Sequence, residues 1–116
     1  MEVDSLKRLR SVFKLSQEKF AVLVGVSVRT VARWEAGEFS PSQLAQRQLV
    51  SLERLYQRLI HLLRPESIDD WMTRAHPGLG QRTPGEVLGA EGPDPLLRLL
   101  EDIPSAFGSG NDINIV

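Results

Sequence analysis

Arg29 and Arg33 are four residues apart, so a helix through them presents both guanidinium groups on one face. A planar fork of donors matches paired acceptors, either the guanine edge in a major groove or the oxygens of a phosphate. Nothing else in the chain points to chemistry as directly. His61 and His76 are the only histidines and lie in different halves. The absence of cysteine removes thiol nucleophiles, thiolate metal sites and disulfides together. Asp69-Asp70 and Glu101-Asp102 are adjacent pairs, which on a helix point in different directions and read as solvated carboxylates. The glycines of GLGQRTPG, residues 78–85, follow no strand and make no dinucleotide fingerprint. There is no His-Glu-x-x-His pair, phosphate-cradling loop or nucleophile elbow. The expectation is a binding protein with no catalytic residues, no metal and no cofactor.

The two arginines need a helix to carry them. Ser27 is placed to cap it, Val31 and Trp34 to face inward, and Gly37 to end it. Val28, Arg29, Ala32 and Arg33 are then left outward. The preceding helix starts at Ser16, has Glu18 near its positive end, carries Phe20, Ala21, Leu23 and Val24, and stops at Gly25. Gly25-Val26-Ser27 between the two gives the form of a helix-turn-helix, with Gly25 permitting the left-handed turn and Val26 plugging the angle. A second helix at that angle enters a major groove with its N-terminal face towards the bases. Upstream, Leu6, Leu9 and Phe13 recur at helical spacing, and Val12 widens the face. Downstream, Ser40-Pro41-Ser42-Gln43 reads as a capping box with Pro at the first helical position. It opens a fourth helix from about Pro41 to Leu63. Ala45, Leu49, Leu52, Tyr56, Leu59 and Leu63 form a seam along it, for its own core or for a second subunit.

Pro65 interrupts this pattern, and a domain boundary is expected there, giving residues 1–64 and 65–116. The second half reads as short helices with Pro/Gly joints. Ser67 with Asp70 caps one reaching Trp71, Met72 and Ala75, and His76-Pro77-Gly78 breaks it. Thr83-Pro84-Gly85-Glu86 is a further capping box, opening a helix with Val87 and Leu88. Asp94-Pro95 opens a last one, with Leu96, Leu97, Leu99, Leu100 and Ile103 apolar and Pro104 at its end. No convincing strand appears, so the fold class is all-α. With 116 residues, 41% hydrophobic and 25% charged, the chain has the composition of a globular protein. The N-terminus lacks the apolar run of a signal peptide and no run spans a membrane, so a cytoplasmic protein is expected. The net charge of −1 conceals a division. Residues 1–64 hold 11 Lys and Arg against 6 Asp and Glu, or +5; residues 65–116 hold 3 against 9, or −6. A basic half suits a polyanion, and an acidic half something else.

The ordered set Leu15-Ser16-Gln17, Phe20-Ala21, Gly25-Val26-Ser27, Thr30-Val31 and Arg33-Trp34-Glu35-Ala36-Gly37 resembles the Xre-type, phage-repressor-like helix-turn-helix family over roughly residues 6–60. The resemblance implies binding to operator double-stranded DNA. It implies that Gln17 anchors a phosphate and that Ser27, Val28, Arg29, Thr30 and Arg33 contact bases or phosphates. Ser40 and Ser42 would meet backbone phosphate at the start of the fourth helix. It also implies that Glu35 is held inward by an arginine of the first helix, for which Arg10 is the candidate.

Trp71, His76-Pro77, Leu79-Gly80, Arg82-Thr83-Pro84, Leu88, Gly92, Leu96 to Leu100 and Phe107-Gly108 resemble, in order, the toxin-binding domain of the Xre/MbcA/ParS antitoxin family. His76 stands where many relatives have a polar residue such as Asn, and the chain past Gly108 is longer than the family's usual ending. The resemblance implies a cognate protein toxin as partner, of the RES-domain, NAD-consuming kind, in a hetero-oligomer built on a homodimer. Leu97, Leu100, Phe107 and the tail residues Asn111, Asp112, Ile113, Asn114, Ile115 and Val116 are the candidate toxin contacts. The alternative is a stand-alone Xre-type repressor whose C-terminal half only dimerises or senses.

Overall fold

Three helices in succession end in the same reversal of the chain. The structure, a computed structural model, describes residues 2–101, and its first elements are α1 (Val3–Val12), α2 (Gln17–Val24) and α3 (Val28–Glu35). After α1, the Lys14 N–H donates to the Ser11 carbonyl and the Leu15 N–H to that of Arg10, with Lys14 left-handed at φ 54°. After α2, Gly25 and Val26 donate to Val22 and Ala21; after α3, Gly37 and Glu38 donate to Trp34 and Arg33. These are Schellman turns, which satisfy the last carbonyls of a helix and need one residue at positive φ. Gly25 at φ 83° and Gly37 at φ 78° take that conformation without a Cβ penalty. Side-chain caps start α2 and α3, where Ser16 and Ser27 accept from the N–H groups of Lys19 and Thr30.

The remaining elements are α4 (Gln43–Leu62), α5 (Pro65–Met72), a 3-10 turn (Pro77–Leu79), α6 (Pro84–Glu91) and α7 (Asp94–Glu101). No strand occurs among the described residues, and the fold is all-α as the periodicity predicts. The chain divides into two compact units, Met1–Glu53 and Arg54–Val116, so the division falls within the span of α4. The expected boundary at 64/65 falls between α4 and α5 and not at this division.

In the first unit α3 packs on both α1 and α2. Leu6, Leu9, Phe13, Phe20, Ala21, Val24, Val31 and Trp34 are all buried, the set that the helical spacing selects, while Val12 and Leu23 are only half-buried. Each large apolar side chain removed from water contributes about 1.5–3 kcal/mol. That is the main force orienting α3.

The start of α4 differs from the expected one. The cap is Ser42, whose Oγ accepts from the Ala45 N–H at 3.2 Å, and the helix begins at Gln43. Pro41 lies ahead of it, buried, with its carbonyl accepting from Gln46 Nε2 at 3.1 Å. Ser40 caps nothing here because the buried proline carries the chain one step further before it turns helical. Along α4, Ala45, Leu49, Leu52, Leu55 and Leu59 are buried, whereas Tyr56 and Leu63 are half-buried. Leu55 therefore takes the place in the seam that the step-of-four reading gives to Tyr56.

In the second unit α5 packs on α6 and α6 on α7. Pro65 is the first residue of α5 rather than a break before it, and the N-cap Arg64 makes no side-chain cap bond. Ser67 is thus inside the helix and does not start it. His76 caps the 3-10 turn, its Nδ1 accepting from the Gly78 N–H at 3.0 Å. The Thr83 capping box is complete: Thr83 Oγ1 accepts from the Glu86 N–H, and Glu86 Oε1 accepts from the Thr83 N–H. The end of α4 meets the end of α7 where Arg58 Nη2 donates to the Leu100 carbonyl at 3.2 Å.

Candidate nucleic-acid interface

The caps and turns above fix α3 so that one face is free. Val31 and Trp34 are 0% and 2% exposed and hold its inner side. Val28, Arg29, Ala32 and Arg33 are exposed, as the spacing predicts. Phe39, 47% exposed, lies beside this face with the Arg33 guanidinium carbon 5.8 Å from its ring centroid. Phe39 carries no sequence signal of its own. Gly37, two residues before it, marks the turn that brings it there.

Behind the exposed face lies a polar cluster. Arg10 donates to Glu35 through Nε at 2.7 Å and Nη2 at 3.0 Å, and through Nη1 to the Leu15 carbonyl at 3.2 Å. The Glu35 side chain is 7% exposed and that of Arg10 28%. Burial pushes the Glu35 carboxyl up. The hydrogen bonds from Arg10 and Gln17, with the charges of Arg10 and Lys7, outweigh this and hold it below the ordinary carboxylate value. The hydrogen bond to Glu35 in turn raises Arg10, against its own desolvation. Arg10 is therefore the arginine that holds Glu35, tying α1 to the end of α3 and keeping a carboxylate off the arginine face.

Gln17 is the first residue of α2, half-buried, and its Nε2 donates to Glu35 Oε1 at 3.0 Å. One of its amide hydrogens is thus committed inside the protein, which leaves one donor for any phosphate. Ser27 and Thr30 hydroxyls lie 2.9 Å apart and bond each other while Ser27 caps α3. Ser40 and Ser42 are both exposed, and Ser42 is engaged as the cap of α4.

In the second unit Leu97 and Leu100 are 6% and 0% exposed. This corrects their reading as an open contact face: both fill the unit's own core. Phe107 and Asn111, Asp112, Ile113, Asn114, Ile115 and Val116 lie outside the described residues. Among the described residues no group of three or more His, Asp or Glu side chains is placed to hold a metal ion. No helix among them is long and apolar enough to cross a membrane.

Two helices joined by a left-handed glycine turn, with two arginines on the open face of the second, have the form of a helix-turn-helix. Residues 6–57 match the family model HTH_3, "Helix-turn-helix". The chain is similar to the mycobacterial cidal antitoxin MbcA of Mycobacterium tuberculosis and of Mycobacterium bovis. It is 30% identical to each over 74 residues, 64% of this chain and 66% of theirs. The match thus spans just under two thirds of the relatives' length. A chain in the crystal structure of the M. tuberculosis MbcT–MbcA toxin–antitoxin complex has the same fold, with a TM-score of 0.60 at 24% identity. The superposition covers 94% of this chain and 95% of that one.

Proposed function

We propose that this protein is an antitoxin with two binding surfaces. The first unit binds operator double-stranded DNA to autoregulate its operon. The acidic second half binds and neutralises a cognate toxin of the RES-domain, NAD-degrading kind. The observation that carries the reading is the joint one: similarity to MbcA antitoxins in a chain whose α3 exposes Arg29 and Arg33 on a helix-turn-helix scaffold. The protein binds and is not an enzyme, in keeping with that similarity. Base or phosphate contact falls to Val28, Arg29 and Arg33, with Ser27, Thr30, Gln17, Ser40 and Ser42 at the rim. Because Leu97 and Leu100 are buried, toxin contact is assigned to Phe107 and to Asn111–Val116. A homodimer supplies the paired recognition helices that two half-sites need, and the cytoplasm supplies both partners.

The test is co-expression with the product of the adjacent reading frame. The full chain should co-purify with it and preserve cellular NAD, and a variant lacking residues 108–116 should lose that protection. The full chain should also shift duplex DNA from its own upstream region. No co-purification with any neighbouring product, together with intact DNA binding and a monodisperse dimer, would overturn the antitoxin reading in favour of the stand-alone repressor.

A further inference from the structure

Gly37 does more than end α3. At φ 78° it turns the chain so that its own N–H donates to the Trp34 carbonyl and that of Glu38 to the Arg33 carbonyl, each at 3.0 Å. This 6→1 closure folds the chain after α3 back along the helix's last turn, against the residue three positions in from its end. In many such turns an apolar pair closes the loop. Here the residue at that helix position is Arg33; Glu38 closes the turn, and the ring of the next residue, Phe39, lies beside Arg33.

The resulting contact has the geometry of a cation–π pair, with 5.8 Å between the guanidinium carbon and the ring centroid. Core packing does not account for Phe39, because 47% of it is exposed. A free arginine samples many rotamers of a long stem, and ordering it on a base edge costs that freedom. A ring already beside the guanidinium reduces that cost.

We propose that Phe39 is a positioning residue for base recognition: its ring holds the Arg33 guanidinium beside the exposed face of α3 and sets the strength of preference at the base pair Arg33 reads. This rests on the proposal that the first unit reads DNA through α3. A merely structural Phe39 would change affinity for all sequences alike, whereas a positioning residue changes discrimination at one place.

The experiment is selection of the full-length protein on a randomised duplex DNA library, comparing the wild type with Arg33→Ala, Phe39→Ala, Phe39→Leu and Phe39→Tyr. Far-UV circular dichroism and thermal melts check that each variant is folded. Arg33→Ala should erase the preference at its base pair, a loss of about 5- to 150-fold in discrimination. Phe39→Ala and Phe39→Leu should weaken the same base pair by about two- to fivefold, with the salt dependence of binding to unselected duplex unchanged. Phe39→Tyr keeps a ring and should restore it. The assignment is overturned, with DNA reading intact, if the wild type selects a motif that Phe39→Ala leaves unaltered or weakens at every position equally. It is overturned likewise if Phe39→Leu discriminates as well as the wild type, or if Arg33→Ala leaves the motif as it was. A wild type that selects no motif overturns both this assignment and the DNA-reading proposal beneath it.

Discussion

Replacing Arg10 measures how strongly the part-buried cluster fixes α3 to α1. The Glu35 carboxylate, 7% exposed, accepts from Arg10 at 2.7 and 3.0 Å and from Gln17 at 3.0 Å. Arg10→Met keeps the aliphatic stem but removes both charged donors, leaving a nearly buried carboxylate with a single neutral partner. Stranding one member of a fully buried pair costs about 3–5 kcal/mol. Arg10 itself is 28% exposed, and water screens part of the interaction, so the expected loss is about 2–3 kcal/mol. Glu35→Gln preserves shape and loses charge, for about 1–2 kcal/mol. Arg10→Met with Glu35→Leu removes both partners and should fall short of the sum of the Arg10→Met and Glu35→Leu losses by about 2 kcal/mol. Trp34 lies in the first unit and Trp71 in the second, so a Trp71→Phe background lets fluorescence in a urea titration follow the first unit alone. Additive losses would refute the cluster as a coupled unit. The pH dependence gives a second check. Glu35 has a folded pKa below its unfolded one, so its contribution is present above the unfolded carboxylate pKa of about 4.3 and is lost as pH falls through the lower folded value. The stabilities of wild type and Glu35→Gln should converge in acid and separate above it. A gap that stays constant from neutral to acidic pH would assign the effect to shape rather than charge.

Gly25→Ala should destabilise the first unit by about 1 kcal/mol in the same fluorescence assay, since its Cβ meets nothing within 4 Å and the cost is the left-handed backbone alone. Gly25→Asn should lose less than Gly25→Ala, because Asn tolerates that region. Thr83→Ala removes one half of a complete capping box and should cost the second unit about 1 kcal/mol, read through Trp71 in a Trp34→Phe background. Glu86, held below the ordinary carboxylate value by the Thr83 backbone N–H, should return towards that value when Glu86 is followed by NMR titration of a Thr83→Pro variant. Gln17→Ala should lower thermal stability as well as DNA affinity, since its amide serves Glu35. A variant that weakens DNA binding with an unchanged melt would mean that the inward bond contributes nothing.

The helix-turn-helix was legible because its signals are local. Ser16, Ser27, Gly25 and Gly37 each satisfy orphan backbone groups at a helix end, and such a signal does not depend on what the helix packs against. The start of α4 was less so, because Ser40 and Ser42 are both good caps and only the burial of Pro41 decides between them. Tyr56 and Leu55 are neighbours about 100° apart on a helix, so spacing admits both, and the environment buries the leucine. Leu97 and Leu100 pose the same ambiguity at the level of function. An apolar stripe reads alike as core or as contact surface, and the tertiary structure spends both in the core. The interface divides along the same line. Which residues α3 exposes follows from 3.6-residue periodicity, and Arg29 and Arg33 were visible for that reason. How they are held was not visible. Gln17 turning to Glu35 and Phe39 lying beside Arg33 both arise where the chain doubles back across a turn, and no periodicity in one dimension encodes such a meeting. The residues that α3 exposes are thus legible from one helix, while the residues that meet them belong to the turns around it.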